Sequence, residues 1–339
     1  MQEIIIGPNQ AGQRLDKFLH KYLPNAGSSF LYKMLRKKNI TLNGKKAEGK
    51  EILEPDDSVQ TFFSDETFAK FAGKVSTDAA SGKKYAKENP TDEYRKAFHH
   101  PDMKSVTVLY EDKYVLILNK PVGVLTQKAK DNDISLNEWM IGYLLDKGTI
   151  TYKELDLFKP SVVNRLDRNT SGIVLCGISL KGSQLLSRMI KERTIGKFYR
   201  TICLGMIKEA QILKGSLSKN KLTNKVNVDL NGEGIETAFV PIQCLKDNMT
   251  YLEVELITGK THQIRAHLSS IKHPLIGDTK YGDEKCNQDV RRKYGLKNQL
   301  LHAYRMEFPT LEGELEGLSE ATIIAPLPEQ FQKILEDLK

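Results

Sequence analysis

The sequence predicts an α+β fold in two parts. A small basic N-terminal α/β module (1–65) is followed, beyond a polar linker (66–104), by a larger domain (105–339) with a largely antiparallel mixed β-sheet flanked by helices. Three observations predict it. The 339 residues suit one large domain and one small one. Helical and strand periods mix without the regular strand–helix–strand rhythm of a parallel sheet. The formal charge of +8 is concentrated, because ten Lys/Arg face two acids between Gln13 and Lys50 while the other 301 residues balance at 41 against 41. A solvated helix face normally pairs its charges at i,i+4, so this uncompensated surplus points to a phosphate-rich partner.

In "QRLDKFLHKYL" the residues Leu15, Phe18, Leu19, Tyr22 and Leu23 fall at helical spacing, and a Pro-Asn-Ala-Gly turn ends the stripe. Ser28 is placed to cap a second helix with core face Leu31, Met34 and Leu35, whose other side carries Lys33, Arg36 and Lys37. "ITLNGKK" then reads as a strand entering an Asn-Gly turn, with Lys45 and Lys46 beyond it. From Ser64 to Lys104 the chain is polar without a sustained period, as a linker with short helical pieces would be.

"VTVLYEDKYVLILNKPVG" gives two strands about a Glu-Asp-Lys turn and opens the second domain. "SLNEWMIGYLL" is helical, with Leu136, Trp139, Met140, Tyr143 and Leu144 on one side. A buried strand "SGIVLCGIS", a helix "SQLLSRMIKER" and a strand "FYRTICLGMI" follow. "YLEVELITG" alternates as a half-exposed strand does, with Leu252, Val254 and Leu256 inward. "THQIRAHLSS" reads as a helix capped by Thr261, "LHAYRMEF" as a strand, and "PEQFQKILEDL" as a helix begun by Pro328.

Several classes drop out. No apolar run approaches the ~18 residues of a membrane span, and the N-terminus lacks the features of a secretion signal, so the expected compartment is the cytoplasm. Cys176, Cys203, Cys244 and Cys286 lie far apart with no C-x-x-C, which encodes neither a disulfide framework nor a zinc cluster and suggests buried fillers. "TGKT" (258–261) imitates the end of a phosphate-binding P-loop, but the required earlier glycine is Val254. His262 and His267 are five apart with no acid between, unlike zinc-binding helices, so no metal is expected and hydrogen-bonded histidines are the better reading.

"NRLDRNTSG" (164–172) sets Asp167 between Arg165 and Arg168. An aspartate there either satisfies turn N–H groups or is a charged acid aimed at something, since a cation within ~4–6 Å favours the carboxylate form. "RLDRNTSGIVL" (165–175) closely resembles the catalytic motif of the RluA-type pseudouridine synthases, a group that includes the RluC and RluD enzymes of large-subunit ribosomal RNA. "KFYRTI" (197–202), "LITGKTHQIRAHL" (256–268) with "HPLIGDTKYG" (273–282), and "LLHAYRMEF" (300–308) match the same family in the same order. The helix–helix–strand stretch over roughly 12–65 resembles the S4-type RNA-binding module.

The resemblance implies a domain with a central cleft. It makes Asp167 the catalytic aspartate, Tyr199 the tyrosine that stacks on the target base, and Arg265 the basic partner of the aspartate. Leu301 matches an apolar pocket position, and Arg165 and Leu166 flank the aspartate within the pocket motif. Asn164 departs from the family, which commonly has a histidine there that helps prise the target nucleotide from its helix. Lys33, Arg36, Lys37, Lys45 and Lys46 become candidate RNA contacts. The implied partner is RNA, 23S ribosomal RNA first, and the expected state is a monomer.

The implied reaction moves uracil from N1 to C5 on ribose C1′ with no net oxidation, so no cofactor is expected. The base must leave its stack first, at a few kcal/mol. A carboxylate can attack the ring, attack C1′, or assist loss of the C2′ proton towards a glycal, and the sequence leaves all three open. Two other readings remain. A non-catalytic RNA-binding or assembly factor would use only the basic module, whereas a glycosidic hydrolase would need a second carboxylate near Asp167.

Overall fold

The computed structural model describes residues 1–7, 9–72, 90–219, 226–229 and 234–339. In the N-terminal module four antiparallel strands, β1 (Gln2–Ile5), β2 (Ile40–Leu42), β3 (Lys45–Lys46) and β4 (Ser58–Thr61), run in the order β1-β4-β2-β3. Helices α1 (Leu15–Tyr22) and α2 (Ser28–Arg36) pack with them through Leu15, Phe18, Leu19, Leu31 and Leu35, all essentially inaccessible. Each such side chain contributes ~1.5–3 kcal/mol of burial. Asn43 and Gly44 take the left-handed conformation that the tight Asn-Gly turn requires. The cap of α2 is Gly27 and not Ser28, since the helix already includes Ser28 and no side chain accepts there.

The segment expected as a linker is more structured at its ends. In α3 (Asp65–Phe71), capped by Ser64, Phe68 and Phe71 pack on the N-terminal core, and the Phe71 ring lies 4.2 Å from that of Phe30. In α4 (Pro90–Phe98), Tyr94 and Ala97 are buried in the large domain. The polar surroundings of these few apolar residues hid their period. The middle of that stretch, 73–89, lies outside the described residues.

The large domain continues with β5 (Thr107–Glu111), β6 (Val115–Lys120), α5 (Leu136–Asp146), α6 (Tyr152–Leu157), β7 (Ser161–Val162), β8 (Ser171–Gly177) and α7 (Leu180–Glu192). Then come β9 (Gly196–Leu204), β10 (Gln211–Lys219), β11 (Val226–Asp229), β12 (Ile235–Leu245), β13 (Met249–Leu256) and α8 (Gln263–Ser270). The chain ends with α9 (Glu284–Tyr294), β14 (Leu301–Glu307), β15 (Thr322–Ile324) and α10 (Glu329–Leu338). The strands form one mixed sheet in the order β11-β10-β12-β13-β9-β14-β8-β6-β5, with β15 on β14 and β7 on β8. Among the ladders of its described residues only β14–β8 is parallel.

Alternate residues of β6 and β8 feed two cores. Leu116, Leu118, Val174 and Cys176 pack towards α5 and α8, whereas Val115, Ile117, Ile173 and Leu175 pack with Leu186 and Met189 of α7. Helix α5 is buried nearly all round, beyond the single face its sequence suggests, and an added Cβ on Gly142 would lie 2.4 Å from the Tyr94 carbonyl oxygen of α4. Of the cysteines, Cys176 and Cys203 are buried, but Cys244 is exposed and Cys286 half-buried, so the filler reading holds for two.

Candidate active site

The parallel junction of β8 and β14 positions the site. Gly172 lies opposite Ala303, which lies opposite Tyr199 on β9, so two small residues border the tyrosine. Gly172 has φ +112°, and a Cβ there would come within 2.2 Å of the Ala303 carbonyl oxygen, so glycine alone permits this approach. The loop entering β8 carries Asp167 across this junction.

That loop is held by the chain that follows β6. Thr126 Oγ1 donates to the Leu166 carbonyl (2.8 Å) and accepts from the Leu166 N–H (3.2 Å). The Gly123 N–H donates to the Arg168 carbonyl at 2.9 Å. The Lys120 ammonium, with no exposure, donates to the carbonyls of Pro121, Val124 and Arg168 at 3.0, 2.9 and 3.1 Å. Burial pushes the Lys120 pKa down to about 7 although Asp167 attracts the charge, while three converging carbonyls call for all three ammonium protons. A lysine closing an apolar strand, in "VLILNK", was the available sequence signal.

Asp167 does not use its carboxylate to build the turn. The Thr170 N–H bonds to the Asp167 backbone oxygen at 3.0 Å, and the side chain instead accepts from Arg265 Nη1 at 2.8 Å. The neighbouring arginines are not its partners. Arg168 Nε donates to the Gly123 carbonyl, and Arg165 is exposed. Sequence proximity suggested them because a cation 98 residues away cannot be seen without the fold.

Arg265 is itself positioned. Its Nε and Nη2 donate to Asp278 Oδ2 and Oδ1 at 2.7 and 2.9 Å, and Asp278, fully buried, also accepts from the N–H groups of Lys280 and Tyr281. Burial alone would raise the Asp278 pKa, but the Arg265 hydrogen bonds and charge more than offset it, and the net shift is downward. For Arg265, burial lowers and its two carboxylate partners raise, with a net upward shift. Sequence reasoning passed over Asp278, which stands in the matched stretch "HPLIGDTKYG".

A cavity of about 680 Å³ opens over these groups, within the range of small-molecule sites. Asn164, Arg165, Leu166, Asp167, Tyr199, Arg265 and Leu301 all line it. Among the described lining residues Asp167 is the sole carboxylate. Tyr199 is 6% exposed, and burial, then the nearby Asp167 charge, raises its phenol pKa, so it stays protonated at neutral pH and offers a π-face rather than a phenolate. Asn164 also borders the space, but its amide is engaged with β8: Nδ2 donates to the Ile173 carbonyl (3.2 Å) and Oδ1 accepts from the Leu175 N–H (2.7 Å).

His262 was read as an ordinary hydrogen-bonded histidine, and the structure places it in the cavity wall with Nε2 3.8 Å from Asp167 Oδ2. It also caps α8 from a left-handed conformation (φ 57°), so the helix begins at Gln263 and Thr261 is not its cap. The Tyr281 hydroxyl oxygen accepts from the Val226 N–H and lies 3.0 Å from His262 Nδ1. Burial lowers the His262 pKa, which keeps the ring neutral. The "TGKT" stretch forms no P-loop, yet Gly259, Lys260 and Thr261 border the same cavity.

The residues that build this geometry lie in a chain similar to known proteins. Residues 114–270 match the family described as RNA pseudouridylate synthase. Along nearly its whole length the chain is similar to ribosomal large subunit pseudouridine synthases C and D, which supports the RluA-type resemblance. Ribosomal large subunit pseudouridine synthase C of Vibrio vulnificus is 28% identical over 347 residues, covering 100% of this chain and 97% of that protein. Ribosomal large subunit pseudouridine synthase D of Neisseria meningitidis is also 28% identical, over 338 residues, 97% of this chain and 79% of that protein. The solved structure of human RNA Pseudouridylate Synthase Domain Containing 4 shares the fold, with TM-score 0.53 at 20% identity over 73% of this chain and 95% of its own. The RluA-type family resemblance read from four ordered motifs is thereby shown.

Proposed function

We propose that this pseudouridine synthase isomerises specific uridines of large-subunit ribosomal RNA, with Asp167 as the catalytic carboxylate. The observation that carries the assignment to Asp167 is its pairing with Arg265: the sole described carboxylate of the cavity is held by an arginine that Asp278 fixes from behind. A partly desolvated carboxylate is tolerable there because the guanidinium accompanies it. The substrate reading is supported by relatives named as large-subunit enzymes and aligned along nearly the whole chain.

In this reading the flipped uracil stacks on Tyr199 against Leu301, and the stacking offsets unstacking by ~1–3 kcal/mol. Asp167 then engages C1′, the ring or the C2′ side of the sugar, and the released base rotates inside a cavity that keeps water out. Because the Tyr199 phenol is held protonated, the C5 proton leaves to Asp167 or to water beside it. A hydrolase is disfavoured, since the nearby second carboxylate, Asp278, is fully buried and occupied by Arg265.

The N-terminal module serves as an S4-like grip. Lys33 and Arg36 are exposed on the side of α2 away from the core, Lys37 is exposed just past its end, and Lys45 and Lys46 are exposed on β3. An unmodified ribosomal RNA transcript carrying tritium at uracil C5 tests the function. Label released to water without free uracil supports isomerisation, free uracil indicates hydrolysis, and RNA binding without either supports a non-catalytic factor.

A further inference from the structure

The cavity contains a cation that the proposed chemistry does not use. Lys197 on β9 is 8% exposed and lines the cavity, two residues before Tyr199 on the same buried face of the strand. Among the described residues it makes no hydrogen bond or ion pair. The charged groups that act on it are Arg193, in a left-handed conformation at the end of α7, and Glu255 on β13. An ammonium that lines an open cavity has donors free for a ligand.

Apart from Asp167, the described cavity wall supplies no anion. Arg165, Arg168, Lys197 and Lys260 line the cavity beyond the neutralised Arg265, against Asp167 alone. Asp167 is already engaged by Arg265. A ligand entering this cavity meets a surplus of positive charge, which suits an anionic group beside Lys197.

We propose that Lys197 forms a phosphate subsite for the nucleotide whose base stacks on Tyr199. This deepens the function proposed above and rests on it for the identity of the nucleotide. A ligand that places its base against Tyr199 extends its sugar–phosphate along the same strand face, where the ammonium supplies up to three donors to phosphate oxygens. The subsite would act on the reacting nucleotide itself, whereas the N-terminal lysines grip remote phosphates.

The test uses the full chain with two probes. The tetranucleotide UpUpUpU, titrated at several salt concentrations, reads the cavity without turnover, and the tritiated transcript reads kcat/KM. Lys197→Met should weaken tetranucleotide binding about tenfold at low salt and reduce the slope of log Kd against log salt by ~0.7, one single-strand contact. Lys197→Arg should restore both, and kcat/KM on the transcript should follow. Should Lys197→Met fold poorly, as judged by its melting temperature, Lys197→Gln takes its place. Wild-type affinity and slope in the well-folded neutral variant would overturn the subsite. A slope change without turnover by the wild type would leave the subsite standing and count against the proposed reaction instead.

Discussion

Replacing Asp278 by alanine should separate support of the site from the site itself. The substitution removes both oxygens that accept from Arg265 Nε and Nη2, and those that accept from the Lys280 and Tyr281 N–H groups, in a fully buried position. Breaking a buried ion pair from one side costs about 3–5 kcal/mol. At ~2–4 °C per kcal/mol for a domain of this size, melting should fall by roughly 6–20 °C. Asp278→Asn, which keeps an acceptor oxygen but not the charge, should fall less. Because Arg265 also holds Asp167, kcat on the tritiated transcript should drop in both variants, including below their melting transitions. The sign with pH follows from the lowered folded pKa: the carboxylate's stabilisation is full above its ordinary value near 4 and is lost as pH falls through the folded value, so variant and wild type should converge in acid. A melting temperature for Asp278→Ala within 2 °C of wild type (roughly the ~1 kcal/mol equivalent) would refute this account of Arg265.

Two further outcomes follow from other parts of the chain. His302 is fully buried between Ser171 and the Ala325 carbonyl, and burial pushes its pKa down to about 4; the unfolded chain therefore binds the extra proton first, and stability contributed above pH ~6.5 should fade between there and about 4 by up to ~3 kcal/mol, a loss that His302→Gln should remove from a pH series of denaturant melts. Changing Lys33, Arg36 and Lys37 together to alanine should leave melting unchanged, weaken RNA binding and flatten its salt slope by up to about three contacts, while a short substrate still turns over.

The legible parts of this chain were those whose signals are local. The stripe of α1 and the Asn-Gly turn after β2 are set by neighbours within a few residues, and the structure reproduces them, whereas β13 alternates only around Leu252 to Glu255, with Met249 to Leu252 all buried and Leu256 half-buried. The strands β10, β11 and β12 escaped notice because their faces are part polar: β12 alternates only in its first half, then is mostly exposed. Helix α9 was hidden by its charge, with Val290 its one buried residue. In the site, Asp167, Tyr199, Arg265 and Leu301 were picked out by motif, and the fold brings them to one cavity. What remained unreadable was partnership across the chain: Asp278 behind Arg265, Lys120 beneath the loop, and Tyr281 against His262. Lys197 carried a signal in its spacing, since a strand period of two sets it on the buried face with Tyr199.

The most direct measurement compares wild type with Asp167→Asn on an unmodified large-subunit ribosomal RNA transcript tritiated at uracil C5. Asparagine keeps the shape and can still accept from Arg265, so melting temperature and RNA affinity should stay near wild type while tritium release falls to background. Release by Asp167→Asn at a rate close to wild type would contradict the assignment of the carboxylate.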